Sequence, residues 1–419
     1  MEYAFFLGSN PGLSAVEVHD YFKRIKIVAD FDLTRLPKYL IVKTDETLKC
    51  QAIIDGLGGT PMIAQIIGEL PDLSAETIIE KTGLESRFSE GQKPIFSISF
   101  ETLGTSLPAS KSPREIRTLG IEIKKLLNKK GCRVVVPQIG TSLSTAQLFN
   151  SGVPFKAVGI HIIELESGRY VAMIVTAVQD IDFYTRRDRE RPEADPGKGM
   201  LPVKLAQIFI NFTQAEIGSK IYDPFCGAGT IVAEAMLQGF NVIATDISLR
   251  QVERTKINTD WLKNTFPNLV DPRKNIVVMA QDIEKPLREI ENNSIDAIAS
   301  EGWLGPATNH ELSAFEIENV FVRTQQLLYA LLANVSSALK SGATVVVALP
   351  AFRVDKRIVR APFMQEELRK FLPKGYKVES LVPEGWTNPA FRDAGQGMML
   401  YGRPDAVILR DIVRIRKTN

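Results

Sequence analysis

The 419-residue chain is 44% apolar, enough for several full cores, and its length predicts two or three domains. Its 51 Lys and Arg against 49 Asp and Glu leave a net charge of +2, which excludes a global basic field, so any nucleic-acid contact must rest on local charge. Cys50, Cys132 and Cys226 stand apart without CxxC spacing, and no apolar run approaches the ~18 residues that cross a bilayer; this argues against a zinc site, a disulfide framework or membrane insertion and implies reduced thiols and a cytoplasmic address.

In chain order, residues 1–92 alternate short apolar segments with helical ones. A strand is expected over 3–7, a helix over 13–22, a strand over 39–42 and a further apolar segment over 50–57. A turn at Gly58-Gly59-Thr60-Pro61 follows. That pattern suits a small α+β module.

The region from 93 to 178 opens with a strand over 95–100. A helix follows over 113–130, stopped by Gly131, then strands over 133–137, 158–165 and 170–177. Around the helix lie Lys111, Arg114, Arg117, Lys124, Lys125, Lys129, Lys130 and Arg133 against two glutamates, the most basic stretch of the chain. Two readings stand side by side: a phosphate-backbone surface, or a solvated face over Leu119, Ile121, Ile123, Leu126 and Leu127 turned inward. Residues 179–199 then have the Pro, Gly and charge content of a connector.

From 200 onward strands near 220, 242, 277, 296 and 345 alternate with helices, as in a doubly wound parallel sheet of the α/β class. Within it, Ile221-Tyr222-Asp223-Pro224-Phe225-Cys226-Gly227-Ala228-Gly229-Thr230 reads as a buried strand breaking into a glycine turn that opens a helix. Such a turn brings backbone N–H groups close to a nucleotide-like ligand. The spacing fits neither the dinucleotide fingerprint nor the phosphate-binding loop of NTPases. A second strand ends at Asp246, about 20 residues on, a distance that suits a carboxylate reaching ribose hydroxyls. A third acid, Asp282, closes the next strand.

These three segments resemble the cofactor motifs of Rossmann-like S-adenosylmethionine-dependent methyltransferases. Upstream, Arg187-Asp188-Arg189-Glu190-Arg191-Pro192 and Gly199-Met200-Leu201-Pro202-Val203-Lys204-Leu205-Ala206-Gln207 resemble a stretch of the THUMP-containing tRNA guanine-N2 methyltransferases. The resemblance implies a ferredoxin-like module at 1–92, a THUMP-like RNA-binding domain at 93–178, a linker at 179–199 and a methyltransferase domain with a seven-stranded sheet at 200–419, its late strands antiparallel. It implies S-adenosylmethionine bound by Met200, Leu201, Pro202, Asp223, Pro224, Phe225, Gly227, Gly229, Thr230, Asp246, Ile247, Asp282 and Ile283. RNA, most naturally tRNA, is the implied partner, and part of the family works with a small activating subunit.

The fourth motif departs from the family. Exocyclic amino methyltransferases usually carry Asp/Asn-Pro-Pro-Tyr/Phe after the fourth strand; here the strand ending at Ser300 runs into Glu301-Gly302-Trp303-Leu304-Gly305-Pro306. Glu301 supplies a carboxylate to accept from an amino group and Trp303 a π-face to grip a base. They are the expected catalytic pair, in a loop that Gly302 is expected to make more flexible. The implied product is a guanine methylated on N2. Another nucleobase amino group, in DNA or rRNA, and a non-catalytic RNA-binding protein are the alternatives.

His19, His161 and His310 stand isolated, without metal-ligand spacing, and no metal is expected. Cys226 reads as packing. Trp386 is a candidate for the substrate cleft or a loop aromatic, and Arg403, Arg410, Arg414, Arg416 and Lys417 form either an RNA-holding end or a solvated one.

Overall fold

The computed structural model describes residues 1–88, 93–103, 110–127, 131–194, 200–306, 308, 310–361, 371–391, 397–403 and 405–418. Its helices in chain order are α1 (Pro11–Arg24), α2 (Cys50–Asp55), α3 (Ala75–Thr82), α4 (Pro113–Leu127), α5 (Thr145–Ser151), α6 (Ile181–Arg189), α7 (Val203–Phe212), α8 (Thr230–Leu237), α9 (Leu249–Thr265) and α10 (Ala314–Val335). Among the described residues no helix is long and apolar enough to cross a membrane. The chain divides into two units, each assembled from non-contiguous segments.

The first unit takes Met1–Gly8, Val28–Asp55 and Thr60–Asp182. Its strands are β1 (Glu2–Phe6), β2 (Asp30–Asp32), β3 (Tyr39–Lys43), β4 (Met62–Leu70), β5 (Ile95–Thr102), β6 (Arg133–Val135), β7 (Val158–Glu164) and β8 (Tyr170–Val178). They form one eight-stranded sheet in the order β2-β3-β1-β4-β8-β7-β5-β6. The division expected between 92 and 93 runs through this sheet, because β4 pairs antiparallel with β8. Periodicity marks a strand but not its partner, so the join was not visible in the sequence.

On this sheet α3 and α4 share a core in which Ile78, Ile116 and Ile123 meet Phe96, Ile98 and Phe100. Helix α4 buries Ile116, Leu119, Ile123 and Leu127, the three- and four-residue spacing of one helical face. Ile121 and Leu126, expected to point inward, are 43% and 46% exposed. They fall outside that stripe, so apolar character alone did not bury them.

The second unit takes Ser9–Ile27, Gly56–Gly59 and Phe183–Asn419. Its strands are β9 (Lys220–Asp223), β10 (Asn241–Asp246), β11 (Ile276–Ala280), β12 (Ile295–Ser300), β13 (Leu339–Val354), β14 (Arg357–Arg360), β15 (Tyr376–Glu379), β16 (Met399–Tyr401) and β17 (Ile408–Lys417). The path β11-β10-β9-β12-β13-β17-β15 forms the sheet, with β14 added on β13 and β16 on β17. From β11 to β13 the pairing is parallel, as crossover helices require. Strand β17 runs antiparallel to both β13 and β15.

Helix α1 lies near the start of the chain yet belongs to this unit, packed on α7. Its Glu17 is fully buried and accepts from Gly58 N at 2.8 Å, Gly59 N at 2.7 Å and Asn211 Nδ2 at 2.7 Å. Burial pushes its carboxyl up to about 7, against the pull of those three donors. Gly58 is needed here, since a Cβ would lie 2.0 Å from Lys204 O.

Candidate active site

Four acids lie at the carboxyl ends of β9, β10, β11 and β12, where open α/β sheets bind their ligands: Asp223, Asp246, Asp282 and Glu301. Strand β9 is buried from Ile221 to Asp223 and breaks at once into the glycine turn. Gly227 has φ 54° and Gly229 φ 80°, the left-handed region. A Cβ on Gly229 would meet the Thr255 side chain at 2.9 Å, whereas one on Gly227 would meet nothing within 4 Å. The turn is thus pressed onto α9 at Gly229 and open at Gly227, the arrangement a closely approaching ligand needs.

Helix α9 ties the turn down. Thr255 Oγ1 donates to Gly227 O at 2.8 Å and Asn258 Nδ2 to Ala228 O at 2.8 Å. Asp246 accepts from Gly227 N at 3.1 Å and from Ser248 N at 2.9 Å, so its carboxylate is fixed between the turn and the start of α9. Asp223 Oδ1 accepts from Ser300 Oγ at 2.6 Å and Phe225 N at 3.3 Å. Burial pushes Asp223 up to about 7, Ser300 and Phe225 oppose the rise, and Asp246 and Glu301 add to it. Together these features fit the nucleoside half of the expected cofactor: an open backbone at Gly227 and a fixed acid at the second strand.

Of the other expected cofactor residues, Pro202 caps the start of α7, Leu201 is buried beside it and Met200 is half-buried. Pro224 and Thr230 are buried within the turn and Phe225 is half-buried. Ile247 is 71% exposed after Asp246. Asp282 accepts from Glu284 N at 3.0 Å, and Gln281 N donates to Asp246 O at 3.0 Å, which brings the second and third acids to adjacent strand ends. Ile283 packs in the core with Leu328 and Leu331.

The fourth motif is more rigid than its sequence suggests. Gly302 has φ 72°, and a Cβ there would lie 2.8 Å from Ala348 O on β13. The glycine therefore seats the loop against the sheet rather than loosening it. Glu301 is half-buried and held by Arg410 of β17. Burial raises its carboxyl above the usual range and Arg410 opposes that rise. Trp303 remains 36% exposed, and a small apolar cavity of about 10 Å³ lies between it, Phe225, Thr324 and Leu328.

The connector expected over 179–199 is more than a hydrated linker among its described residues. From Phe183 onward it belongs to the second unit, where Arg187 pairs with buried Glu234 and Arg191 Nη1 donates to Thr230 Oγ1 at 2.9 Å. Arg254 and Asn258 of α9 bind Glu193, by its side chain and its backbone N–H respectively. Four of the five cations at the chain end are internal fastenings: Arg410 on Glu301, Arg414 on Asp20, Arg416 on Glu379, and Lys417 Nζ on Ser336 O and Leu339 O. Trp386 packs edge-on against His19 of α1, 5.5 Å between ring centroids. Cys226 is buried and burial pushes its thiol up, which fits packing and not nucleophilic attack.

In the first unit, Arg114, Arg117, Lys124 and Lys125 lie exposed along one side of α4, with Glu115 and Glu122 on the other flank by their helical spacing. Arg133 is exposed on β6, and Lys111 is half-buried, 3.7 Å from Glu115. Lys129 and Lys130 lie outside the described residues.

Residues 189–299 match the UPF0020 family, described as an RMKL-like methyltransferase domain. Over 76 residues the chain is 43% identical to the tRNA (guanine(10)-N2)-dimethyltransferase of Methanothermobacter thermautotrophicus, covering 18% of this chain and 22% of that protein. Over 149 residues it is 30% identical to the protein of the same name from Methanocaldococcus jannaschii, covering 36% and 41%. The matched segments thus span less than half the length of these relatives. The crystal structure of TrmN from Thermus thermophilus aligns over 100% of both chains with a TM-score of 0.53 and 14% identity, a likeness of fold. Residues 189–299, which carry β9, β10, β11 and most of β12, are thus similar to an RMKL-like methyltransferase domain, on a sheet of Rossmann-like order.

Proposed function

We propose that the protein is an S-adenosylmethionine-dependent RNA methyltransferase acting on the exocyclic N2 amino group of a guanine in tRNA. The observation that carries this reading is the open glycine turn at Gly227, with Asp246 fixed on it and Glu301 two strands away at the same sheet edge. The names of its relatives favour guanine N2 over other acceptors. Domain boundaries follow the two units, with the first taken as the RNA-holding, THUMP-like part and the stripe of cations on α4 as its phosphate contact.

When bound, the cofactor supplies a methyl group on a positively charged sulfur, so the acceptor nitrogen needs placement more than deprotonation. Asp246 takes the ribose hydroxyls, and the turn from Asp223 to Thr230 takes the nucleoside beside it. The Glu301 carboxylate accepts from the guanine amino group and turns its lone pair toward the cleft, while Trp303 offers its ring face to the base. Arg410 favours the ionised form of Glu301, which that acceptor role requires.

The test is transfer of labelled methyl from S-adenosylmethionine to unmodified tRNA, with the nucleosides identified by mass spectrometry. Label on guanine N2 supports the proposal; label on another base, or none despite bound cofactor, overturns it. A second reading, RNA binding without turnover, draws on the Arg410 grip, which occupies part of the expected acceptor. Cofactor binding with no transfer to any total RNA favours it.

A further inference from the structure

In the second unit Arg410 stands between two groups at the end of the sheet that carries the four acids. On one side it holds Glu301 through Oε1. On the other, β16 pairs antiparallel with β17 and sets Tyr401 directly opposite Arg410. Opposed residues of a strand pair share one face, with Cβ atoms ~4.5–5.5 Å apart, so carboxylate, guanidinium and phenol follow one another in a row. Tyr401 is half-buried, and among the described residues its hydroxyl makes no hydrogen bond. Burial raises the proton affinity of its phenol, nearby Asp188 adds to the rise, and Arg410 and Arg403 oppose it. The hydroxyl therefore keeps its proton and has it to donate.

A base held out of its stack shows its Watson–Crick edge to the protein. On guanine that edge runs from the N2 amino group through N1–H to O6, so it offers donors at one end and an acceptor at the other. Glu301 is the proposed partner of the amino group. Next along the row come Arg410, whose Nε and Nη2 are turned to Glu301, and then the Tyr401 hydroxyl. Adenine gripped by its amino group through the same carboxylate places a C–H where guanine has O6, which leaves the phenol without an acceptor.

We propose that Tyr401 is a specificity-determining residue, donating a hydrogen bond to O6 of the guanine whose amino group Glu301 accepts from. The proposal rests on the methylation reading above and deepens it. Glu301 places the acceptor nitrogen, and Tyr401 selects the base that brings it.

The test is a cycle of four kcat/KM values for methyl transfer. The parent chain and Tyr401→Phe are each given tRNA with guanine, or with 2-aminopurine, at the nucleotide that mass spectrometry shows to be methylated. 2-Aminopurine keeps the 2-amino group and lacks O6; phenylalanine keeps the ring and lacks the hydroxyl. One neutral hydrogen bond is worth up to about 10-fold, so either change alone should lower kcat/KM by about that factor and the two together little more than one. A residue that serves only the fold would lower both substrates equally and leave the preference for guanine intact, which overturns the proposal. So does unchanged transfer to guanine by Tyr401→Phe, or complete rejection of 2-aminopurine by both proteins, which exceeds what one phenol supplies. No label on guanine N2 with the parent overturns the methylation reading and this proposal together, whereas label there with two independent losses overturns this proposal alone.

Discussion

Arg410 holds Glu301 by a single oxygen: its Nε lies 2.6 Å and its Nη2 2.5 Å from Oε1. Among the described residues no donor reaches Oε2. One side of the carboxylate is therefore clamped from β17, and the other is open to the amino group proposed above as its partner. Arg410→Ala should cut turnover about 100-fold with cofactor affinity little changed, the loss typical of one transition-state hydrogen-bond contact. Removing the cation also leaves burial unopposed, so the acid limb of the pH–rate profile should move to higher pH. Glu301→Ala should remove turnover with cofactor binding near normal. An Arg410→Ala profile that keeps its acid limb in place would detach Arg410 from Glu301's ionisation.

Asp246 serves two backbone donors at once, Gly227 N and Ser248 N. Asp246→Ala removes both acceptors and the charge. Charge-assisted hydrogen bonds contribute ~1.5–3 kcal/mol each, so S-adenosylmethionine affinity measured by calorimetry should fall about 10- to 100-fold. Affinity within a factor of two of the parent would remove Asp246 from the site.

Gly302→Ala tests the seating of the fourth motif. The new methyl meets Ala348 O, and φ 72° is strained for any L side chain, at a cost of roughly 1–3 kcal/mol. The loop should lift from β13 and carry Glu301 away from Arg410, with turnover falling more than Tm. Unchanged turnover would mean the loop tolerates displacement.

The motifs were legible because each is local: strand, glycine turn and acid lie within one short stretch, and the hydrophobic runs of β9, β10 and β12 carry their own periodicity. What was not legible depends on partners distant in sequence. Arg410 and Glu301 are 109 residues apart, Arg414 and Asp20 394 apart. A run such as Arg414-Ile415-Arg416-Lys417 shows charge but not its partners: buried Asp20, half-buried Glu379 and the carbonyls of Ser336 and Leu339. Gly302 was misread for the same reason, since the carbonyl that excludes a Cβ comes from another strand. The place of α1 in the second unit depends on Glu17 reaching Gly58 and Asn211, which no helical pattern announces.

Asp223 offers a test through pH. Its folded-state carboxyl sits at about 7 against an ordinary 3.8, raised first by burial. A raised acid binds its proton more tightly when folded. The stability it contributes is therefore fully present below about pH 4, declines as pH rises through about 7, and is absent above. Asp223→Asn mimics the protonated form and keeps an oxygen to accept from Ser300 Oγ and Phe225 N. At pH 8 the variant should be more stable than the parent by roughly 1–4 kcal/mol, the energy of a shift of up to three pH units in a buried group. At pH 4 the difference should vanish. Glu17, also pushed up to about 7, contributes the same slope to both proteins, so the comparison isolates Asp223. Thermal denaturation of parent and variant at the two pH values reads the result, and an equal gap at both would place the Asp223 proton elsewhere.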